Sequence, residues 1–182
     1  ATYVPAWQSL DDFETRETSQ PGNLAASQWI LDQFLSYGLP AAFHHYETPA
    51  GQKRNVVATM PGVVDPAKVV YVCGHFDSWT FTPGTCAPGA DDNATGTAAV
   101  LEIARILIQY GFEYTIKFAC WNDEEQGLLG SAAYAAEMAA AGEEIIAVYN
   151  CDMIGYRGTD PAPADLVIYT YPGSQSVAAI LA

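Results

Sequence analysis

The stretch from Tyr114 to Ser131 constrains the fold of this chain more than any other. Its first part, residues 114–120, is an apolar and β-prone run, and Trp-Asn-Asp-Glu-Glu follows it directly at 121–125. An alanine-rich pattern with helical spacing comes next. Strand, polar turn and helix in this order are typical of α/β sheets, in which reactive groups lie at the carboxyl ends of central strands. The stretch therefore predicts a central strand with Glu124 and Glu125 at its carboxyl end.

Two interpretations of these adjacent glutamates compete. An Asp-Glu-Glu sequence can simply be the acidic first turn of a helix, which the helix macrodipole favours. Alternatively, neighbouring side chains on extended backbone point in different directions. Glu124 and Glu125 could then divide two tasks, one binding a metal ion and the other facing a reacting group. Three other stretches of the sequence favour this second interpretation.

Polar residues recur at the ends of two further predicted strands. Residues 68–73 form a nearly continuous apolar run that ends just before His75, and residues 144–150 lead to Asp152. Asp92 opens the predicted helix between the first of these strands and the Tyr114 strand. Because the carboxyl ends of parallel strands lie along one edge of a sheet, we expect these side chains to converge.

A convergence of this kind predicts a metal site. Several carboxylates crowded together are costly unless a cation compensates their charge. One histidine among aspartates and glutamates, with no Cys-x-x-Cys pair in the chain, suits Zn²⁺, Mn²⁺ or Co²⁺. A carboxylate can also bridge two ions about 3.5–4 Å apart, as in two-metal hydrolases.

The remaining patterns predict a three-layer α/β/α sandwich with a mixed, mostly parallel sheet and an antiparallel N-terminal edge. We expect one domain over residues 1–182. The predicted elements are a polar, helical entry at Ser9–Glu17, a helix from Asn23 to about Tyr37 with Ile30, Leu31, Phe34 and Leu35 on one face, an antiparallel pair at Phe43–Thr48 and Arg54–Met60, helices at 92–110 and 126–141, a last strand at 165–170 and a helix from Ser174.

The net charge limits the kinds of partner that the protein can bind, and the cysteines indicate how its thiols are placed. Seven basic against 21 acidic residues give a formal charge of −14, which argues against nucleic acid and anionic membranes as partners. Cys73, Cys120 and Cys151 each close an apolar run, which predicts buried free thiols, and Cys86 lies in a loop rich in proline and glycine. Residues 1–4 could be the start of a processed chain, and we expect a secreted or periplasmic protein.

Four motifs carry a resemblance to a known family. Residues 74–78 (GHFDS), 88–96 (PGADDNATG), 123–131 (DEEQGLLGS) and 152–155 (DMIG) resemble, in order, the motifs of the M28 metallopeptidases. That family includes bacterial leucyl-type aminopeptidases and glutamate carboxypeptidase-like enzymes. The resemblance extends from Phe13 to about Thr170.

The resemblance implies a role for each candidate residue at a site with two Zn²⁺ ions. It implies that His75 and Asp152 bind one zinc, that Glu125 binds the other and that Asp92 bridges both. Glu124 is implied as the general base that activates the hydrolytic water and returns its proton to the leaving amine. Asp77 is implied as the residue that orients His75. The substrate implied is a peptide, and the implied reaction is removal of N-terminal residues.

Other activities stay open. A glutamate carboxypeptidase-like specificity is the main alternative within the family, hinted at by Trp79 after Asp77-Ser78. Glutaminyl cyclases are also relatives, but they bind one zinc through a different subset of ligands. A non-catalytic homologue with the same fold is the alternative from another class, against which the presence of both glutamates argues.

Several further residues have ordinary interpretations. Asp91 is expected at a helix entry or beside the ligands rather than as a ligand, and His44 and His45, on a predicted edge strand, are expected to have ordinary surface or packing roles. Asn93-Ala94-Thr95 fits a glycosylation sequon, but a glycan there would block the metal edge. Trp79 and Phe81, and less so Tyr156 and Arg157, could reach a substrate.

One expected ligand is missing from the sequence. The family's second zinc is expected to take a histidine downstream of the Asp152 motif, whereas the three histidines here are His44, His45 and His75. The hairpin leads straight to the His75 strand, which leaves no room for a protease-associated domain. We therefore expect a truncated form of a longer enzyme, with roughly a hundred further residues that supply the last strands, the histidine and part of the pocket.

Overall fold

The computed structural model describes residues 13–82 and 86–155. The described residues form a five-stranded mixed sheet with strand order β1-β2-β4-β3-β5. The helices in this part are α1 (Pro21–Ser36), α2 (Gly96–Leu107) and α3 (Leu129–Ala141), and the strands are β1 (Ala41–Thr48), β2 (Gly51–Met60), β3 (Asp65–His75), β4 (Tyr114–Trp121) and β5 (Glu144–Asn150).

The sheet has the predicted mixture of strand directions. Strands β1 and β2 form an antiparallel hairpin in which Thr48 pairs with Gly51, and β2 is antiparallel to β4. Strand β3 runs parallel to both of its neighbours, β4 and β5. As a result, the carboxyl ends of three parallel strands lie side by side, and His75 is the last residue of the central one.

Helices cover both faces of the sheet, which confirms the three-layer prediction. On one face, Phe34 of α1 and Leu101 of α2 pack with Phe118 of β4 in the larger core cluster. On the other face, Tyr134 of α3 packs against Tyr71 of β3 and Ala119 of β4. No helix within 13–82 and 86–155 is long and apolar enough to cross a membrane.

Helix α1 begins at Pro21, two residues before the predicted start at Asn23. Proline suits this position because its fixed φ fits the first turn and its missing N–H has no partner to lose there. Ile30 and Phe34 are fully buried as predicted, but Leu35 is half exposed. The expectation for Leu35 was wrong because the buried stripe follows i, i+4 spacing through Ala26, and Leu35 lies off that line.

The other two helices begin later than predicted. Asp92 and Asn93 have non-helical backbone angles, and regular helix starts only at Gly96. Leu128 has a φ of 63°, a left-handed conformation that regular helix does not contain, so α3 starts at Leu129 instead of Gln126. Both late starts lie beside candidate site residues, where irregular backbone aims side chains that a helix would point elsewhere.

The described N-terminal residues form a turn and an isolated bridge instead of a helix. Residues 13–17 contain no helix, and Thr15 forms an isolated bridge with Ala87, so the helical prediction for Ser9–Glu17 is wrong over 13–17. The predicted strand at 165–170 and helix from Ser174, like Tyr156 and Arg157, lie outside the described residues.

Candidate metal centre

His75 lies at the centre of the site. Its side chain is only 2% exposed, and its buried Nε2 atom makes no hydrogen bond within the described part of the protein. Three carboxylate oxygens nevertheless surround that nitrogen, from Asp92 at 3.0 Å, Asp152 at 3.6 Å and Glu124 at 4.0 Å. A buried ring nitrogen that faces several carboxylates without a hydrogen bond to them is suited to bind a cation together with those carboxylates.

The predicted ligands form two overlapping groups around this nitrogen. His75, Asp92 and Asp152 form one, and His75, Glu124 and Glu125 form the other, with ligand atoms within 4.8 Å of one another in each. Two ligand atoms that each lie about 2.0–2.2 Å from a zinc cannot be more than roughly 4.4 Å apart. The distances from His75 to Asp92 and Asp152 meet this limit, so the residues present fit a metal ion.

The electrostatics of the cluster agree with a cation site. Burial, followed by repulsion from Asp92, raises the pKa of Glu125 to about 7, and burial also raises the pKa of Glu124. Burial alone would lower the pKa of His75, but its interactions with Asp152 and Asp77 outweigh burial and raise that pKa to about 10. Crowded negative charge is thus only partly balanced by the protein's own residues, and a divalent cation would balance it further.

Asp77 connects the ends of two strands. Its carboxylate is buried, and its Oδ1 and Oδ2 atoms accept hydrogen bonds from the backbone N–H groups of Glu124 and Glu125, each at 3.2 Å. Oδ1 also lies 3.4 Å from Nδ1 of His75, and the backbone oxygen of Asp77 lies 3.2 Å from that nitrogen. The predicted orientation of His75 by Asp77 fits these contacts. The hydrogen bonds from both glutamate N–H groups to Asp77 were not predicted, because the sequence around a single aspartate does not show which groups it will bond to.

Arg16 is a second residue that the sequence did not reveal. It is fully buried, and its guanidinium donates hydrogen bonds to the carbonyl oxygens of Phe76 at 2.7 Å, Pro88 at 2.5 Å and Gly89 at 3.0 Å. These acceptors lie in the loop after His75 and in the loop before Asp92. Arg16 therefore joins the two loops that carry these ligands, from a segment about sixty to seventy residues earlier in the chain.

A buried polar network supports the turn that holds the glutamates. Asn122 and Asn23 exchange two side-chain hydrogen bonds, of 2.8 and 3.2 Å. The hydroxyl of Tyr46 donates to Asp123 Oδ2 at 2.8 Å, and the N–H of Asn122 donates to Asn55 Oδ1 at 2.9 Å. Residues from α1, β1 and β2 thus fix the two positions that precede Glu124.

Other sequence candidates lie away from the centre. His44 bonds through Nε2 to Glu137 at 3.1 Å and packs against Tyr134, in agreement with a packing role. Trp79 and Phe81 are 46% and 90% exposed and contact each other with ring centroids 4.3 Å apart. All four cysteines are free: Cys73 and Cys120 are buried, Cys151 is half-buried and Cys86 is exposed.

The fold and this cluster define a class, that of α/β/α proteins with a candidate metal site at the carboxyl ends of parallel strands. The model of peptidase family M28 matches residues 55–179, and the chain belongs to this family.

Curated relatives agree with this family. A probable zinc metalloprotease of Leptosphaeria maculans is 31% identical over 180 residues, covering 86% of this chain and 41% of the relative. Leucine aminopeptidase 1 of Sclerotinia sclerotiorum is 33% identical over 166 residues, covering 82% of this chain and 42% of the relative. The chain thus spans about two fifths of the length of these relatives.

Solved structures share the fold. The LapA aminopeptidase of Legionella pneumophila has a TM-score of 0.70 at 23% identity, with 84% of this chain and 43% of that protein covered. Glutaminyl cyclases are among the other proteins with this fold. The fold by itself therefore does not separate a peptidase from a cyclase, and the specific activity has to be argued from the site.

Proposed function

We propose that this chain carries the catalytic core of a zinc-dependent exopeptidase, an aminopeptidase that removes N-terminal residues from peptides. The observation that carries the proposal is the buried His75 Nε2, unbonded and facing the carboxylates of Asp92, Asp152 and Glu124. The names of the relatives support zinc as the metal and an aminopeptidase as the activity.

The proposed ligands divide between two ions. His75 and Asp152 would hold the first, Asp92 would bridge, and Glu125 would hold the second. Bound zinc would polarise the scissile carbonyl and lower the pKa of a water molecule to about 7. The raised pKa of Glu125, caused by burial and by Asp92, supports its place beside the bridge.

Glu124 is the proposed general base. Its side chain is 31% exposed and its Oε2 atom lies 4.0 Å from His75 Nε2, so it borders the site and remains open to solvent and substrate. Burial raises its pKa, and a general base works best when its pKa approaches the working pH. Glu124 would take a proton from the attacking water and deliver it to the leaving amine. The bond from its N–H to Asp77 keeps its backbone in place during this transfer.

The test uses the full-length protein and two substrates, a leucine anilide and an N-acetylated dipeptide that ends in glutamate. We expect hydrolysis of the leucine substrate, loss of activity with a zinc chelator, and recovery when zinc is returned. His45→Ala serves as the control, since that histidine is exposed on β1 and its ring contacts Phe43, so its loss should leave the rate unchanged. Activity that survives complete removal of metal would overturn the proposal, and preferred release of glutamate from the blocked dipeptide would replace the aminopeptidase by a glutamate carboxypeptidase-like enzyme.

A further inference from the structure

We propose that Asn93 is a positioning residue that fixes the proposed ligands Asp92 and Asp152 relative to each other, so that both can bind metal. The inference rests on the proposed metal site. It concerns a different question, namely what holds Asp152 in place when β5 has already ended at Asn150.

The side chain of Asn93 forms hydrogen bonds to the backbone on both sides of Asp152. It is fully buried, its Nδ2 donates to the carbonyl of Cys151 at 2.9 Å, and its Oδ1 accepts from the N–H of Met153 at 3.3 Å. Both contacts are with the residues on either side of Asp152. Oδ1 also accepts from the N–H of Gly96 at 2.8 Å, which ties the same amide to the first residue of α2.

Two neighbours of Asn93 continue this pattern along the same segment. The hydroxyl of Thr95 accepts from the N–H of Ile154 at 3.2 Å, and Oδ1 of Asp91 accepts from the N–H of Gly155 at 2.8 Å. Alternate residues 91, 93 and 95 therefore provide acceptors for the consecutive N–H groups of residues 153–155. Side chains here provide the acceptors that a neighbouring strand would otherwise provide.

Close packing leaves little room for the two segments to slide. A Cβ atom added to Gly96 would lie 2.2 Å from the carbonyl oxygen of Cys151, and one added to Gly155 would lie 2.3 Å from Cγ2 of Thr95. Asp92 precedes Asn93 directly in the chain. The position of Asp92 is therefore coupled to that of Asp152 through the Asn93 side chain and two tight contacts.

An amide is the group that this position requires. One end must donate to a carbonyl while the other accepts from an N–H, and asparagine does both with a short side chain. An aspartate would place a second oxygen against the carbonyl of Cys151. The same geometry excludes the sequon as a glycosylation site, because the Asn93 nitrogen is buried and already bonded.

The test measures zinc affinity of the full-length protein by calorimetry and the visible spectrum of its Co²⁺ form. For Asn93→Ala we expect zinc binding weakened by about 10–100-fold, the range for loss of a residue that orients a metal ligand. We also expect an altered Co²⁺ spectrum, because the ligand geometry changes. Thr95→Val should produce a smaller loss in the same direction, and Thr95→Ser should restore binding because it keeps the hydroxyl.

A matched control separates positioning from general stability. Val100 is a fully buried residue of α2 that does not belong to the proposed metal site. Val100→Ala should therefore lower the melting temperature without changing zinc affinity or the Co²⁺ spectrum. Equal loss of affinity in Val100→Ala and Asn93→Ala would overturn the inference. If Asn93→Ala does not fold, equal affinities for Thr95→Val and Thr95→Ser would overturn it. A wild-type protein that binds no zinc would instead overturn the proposed function.

Discussion

Strands β4 and β5 are both parallel neighbours of β3, yet their surroundings differ sharply. Strand β4 buries residues on both faces, with Phe118 beneath α1 and α2 and Ala119 beneath α3. Strand β5 leaves Ile145, Ile146 and Val148 between 44% and 58% exposed among the described residues. Each strand nevertheless leads into proposed site residues, the glutamates after β4 and Asp152 after β5.

The difference shows that the two sides of the site are held by different means. The turn after β4 is fixed by buried hydrogen bonds from α1, β1, β2 and Asp77, within a covered part of the core. The segment after β5 is fixed by side chains of residues 91–95, and the apolar side chains of β5 are about half exposed among the described residues. We expect the β4 side to supply the general base, Glu124, together with one metal ligand, Glu125, and the β5 side to supply metal binding through Asp152.

The largest expected effect separates these two tasks directly. Glu124→Gln should lower kcat by about 10²–10⁴-fold, the usual contribution of a general base, while zinc content stays unchanged. Asp152→Asn should instead lower zinc content and activity together. Steady-state kinetics and metal analysis of both variants check this. Near-full activity in Glu124→Gln would contradict its role as the base.

The next largest effect is a difference in the free energy of unfolding between variants of β4 and of β5. Phe118→Ala should destabilise the protein by about 3–5 kcal/mol, because it empties a fully buried aromatic position in β4. Val148→Ala should cost about 0.5 kcal/mol or less, as expected for an exposed side chain. Urea unfolding of the full-length protein measures both. A loss above about 2 kcal/mol for Val148→Ala would show that other parts of the protein cover β5.

A smaller effect tests the support of the glutamate turn. Tyr46→Phe removes the hydroxyl that bonds to the buried carboxylate of Asp123, and a hydrogen bond to a charged group contributes about 1.5–3 kcal/mol. We expect a stability loss in this range and a lower kcat with little change in zinc content. Tyr110→Phe is the control, because that residue is 62% exposed and lies far from the site. Equal behaviour of both variants would remove Tyr46 from the network.

The smallest effect is a difference in thiol reactivity. Burial raises the pKa of Cys73 to about 12 and also raises the pKa of Cys120, so neither forms much thiolate at pH 8. We expect iodoacetamide to label exposed Cys86 first, half-buried Cys151 after β5 more slowly, and Cys120 of β4 hardly at all. Peptide mass spectrometry over time gives the order. Early labelling of Cys120 would contradict the covered state of β4.

Periodicity and strand order allowed much of this structure to be predicted. The strand ends were predictable because a buried run followed by polar residues is a local pattern, and parallel strands place such ends together. His75 and Asp152 meet for this reason. The resemblance to M28 peptidases supplied the roles, which remain predictions, as do the single domain, the truncation and the compartment.

The groups that support the site could not be predicted in the same way. Arg16 contacts Gly89 across 73 positions, and Asn23 contacts Asn122 across 99. Each of these contacts joins one residue to one distant residue, and no periodic pattern in the sequence marks either partner. A single sequence therefore does not predict them. The predicted helix start at 92 was wrong for a related reason, because the Asn93 side chain accepts the N–H of Gly96 and so competes with regular helix.

The strand order also has a consequence for folding during synthesis. Strands β2 and β3 follow each other in the chain but are not neighbours, because β4 lies between them. The hairpin and β3 must therefore wait for residues 114–121 before they can join one sheet, and non-local pairings of this kind slow folding. Until then the edges of β2 and β3 are unpaired and open to other chains. The risk of aggregation is concentrated in the interval before β4 leaves the ribosome.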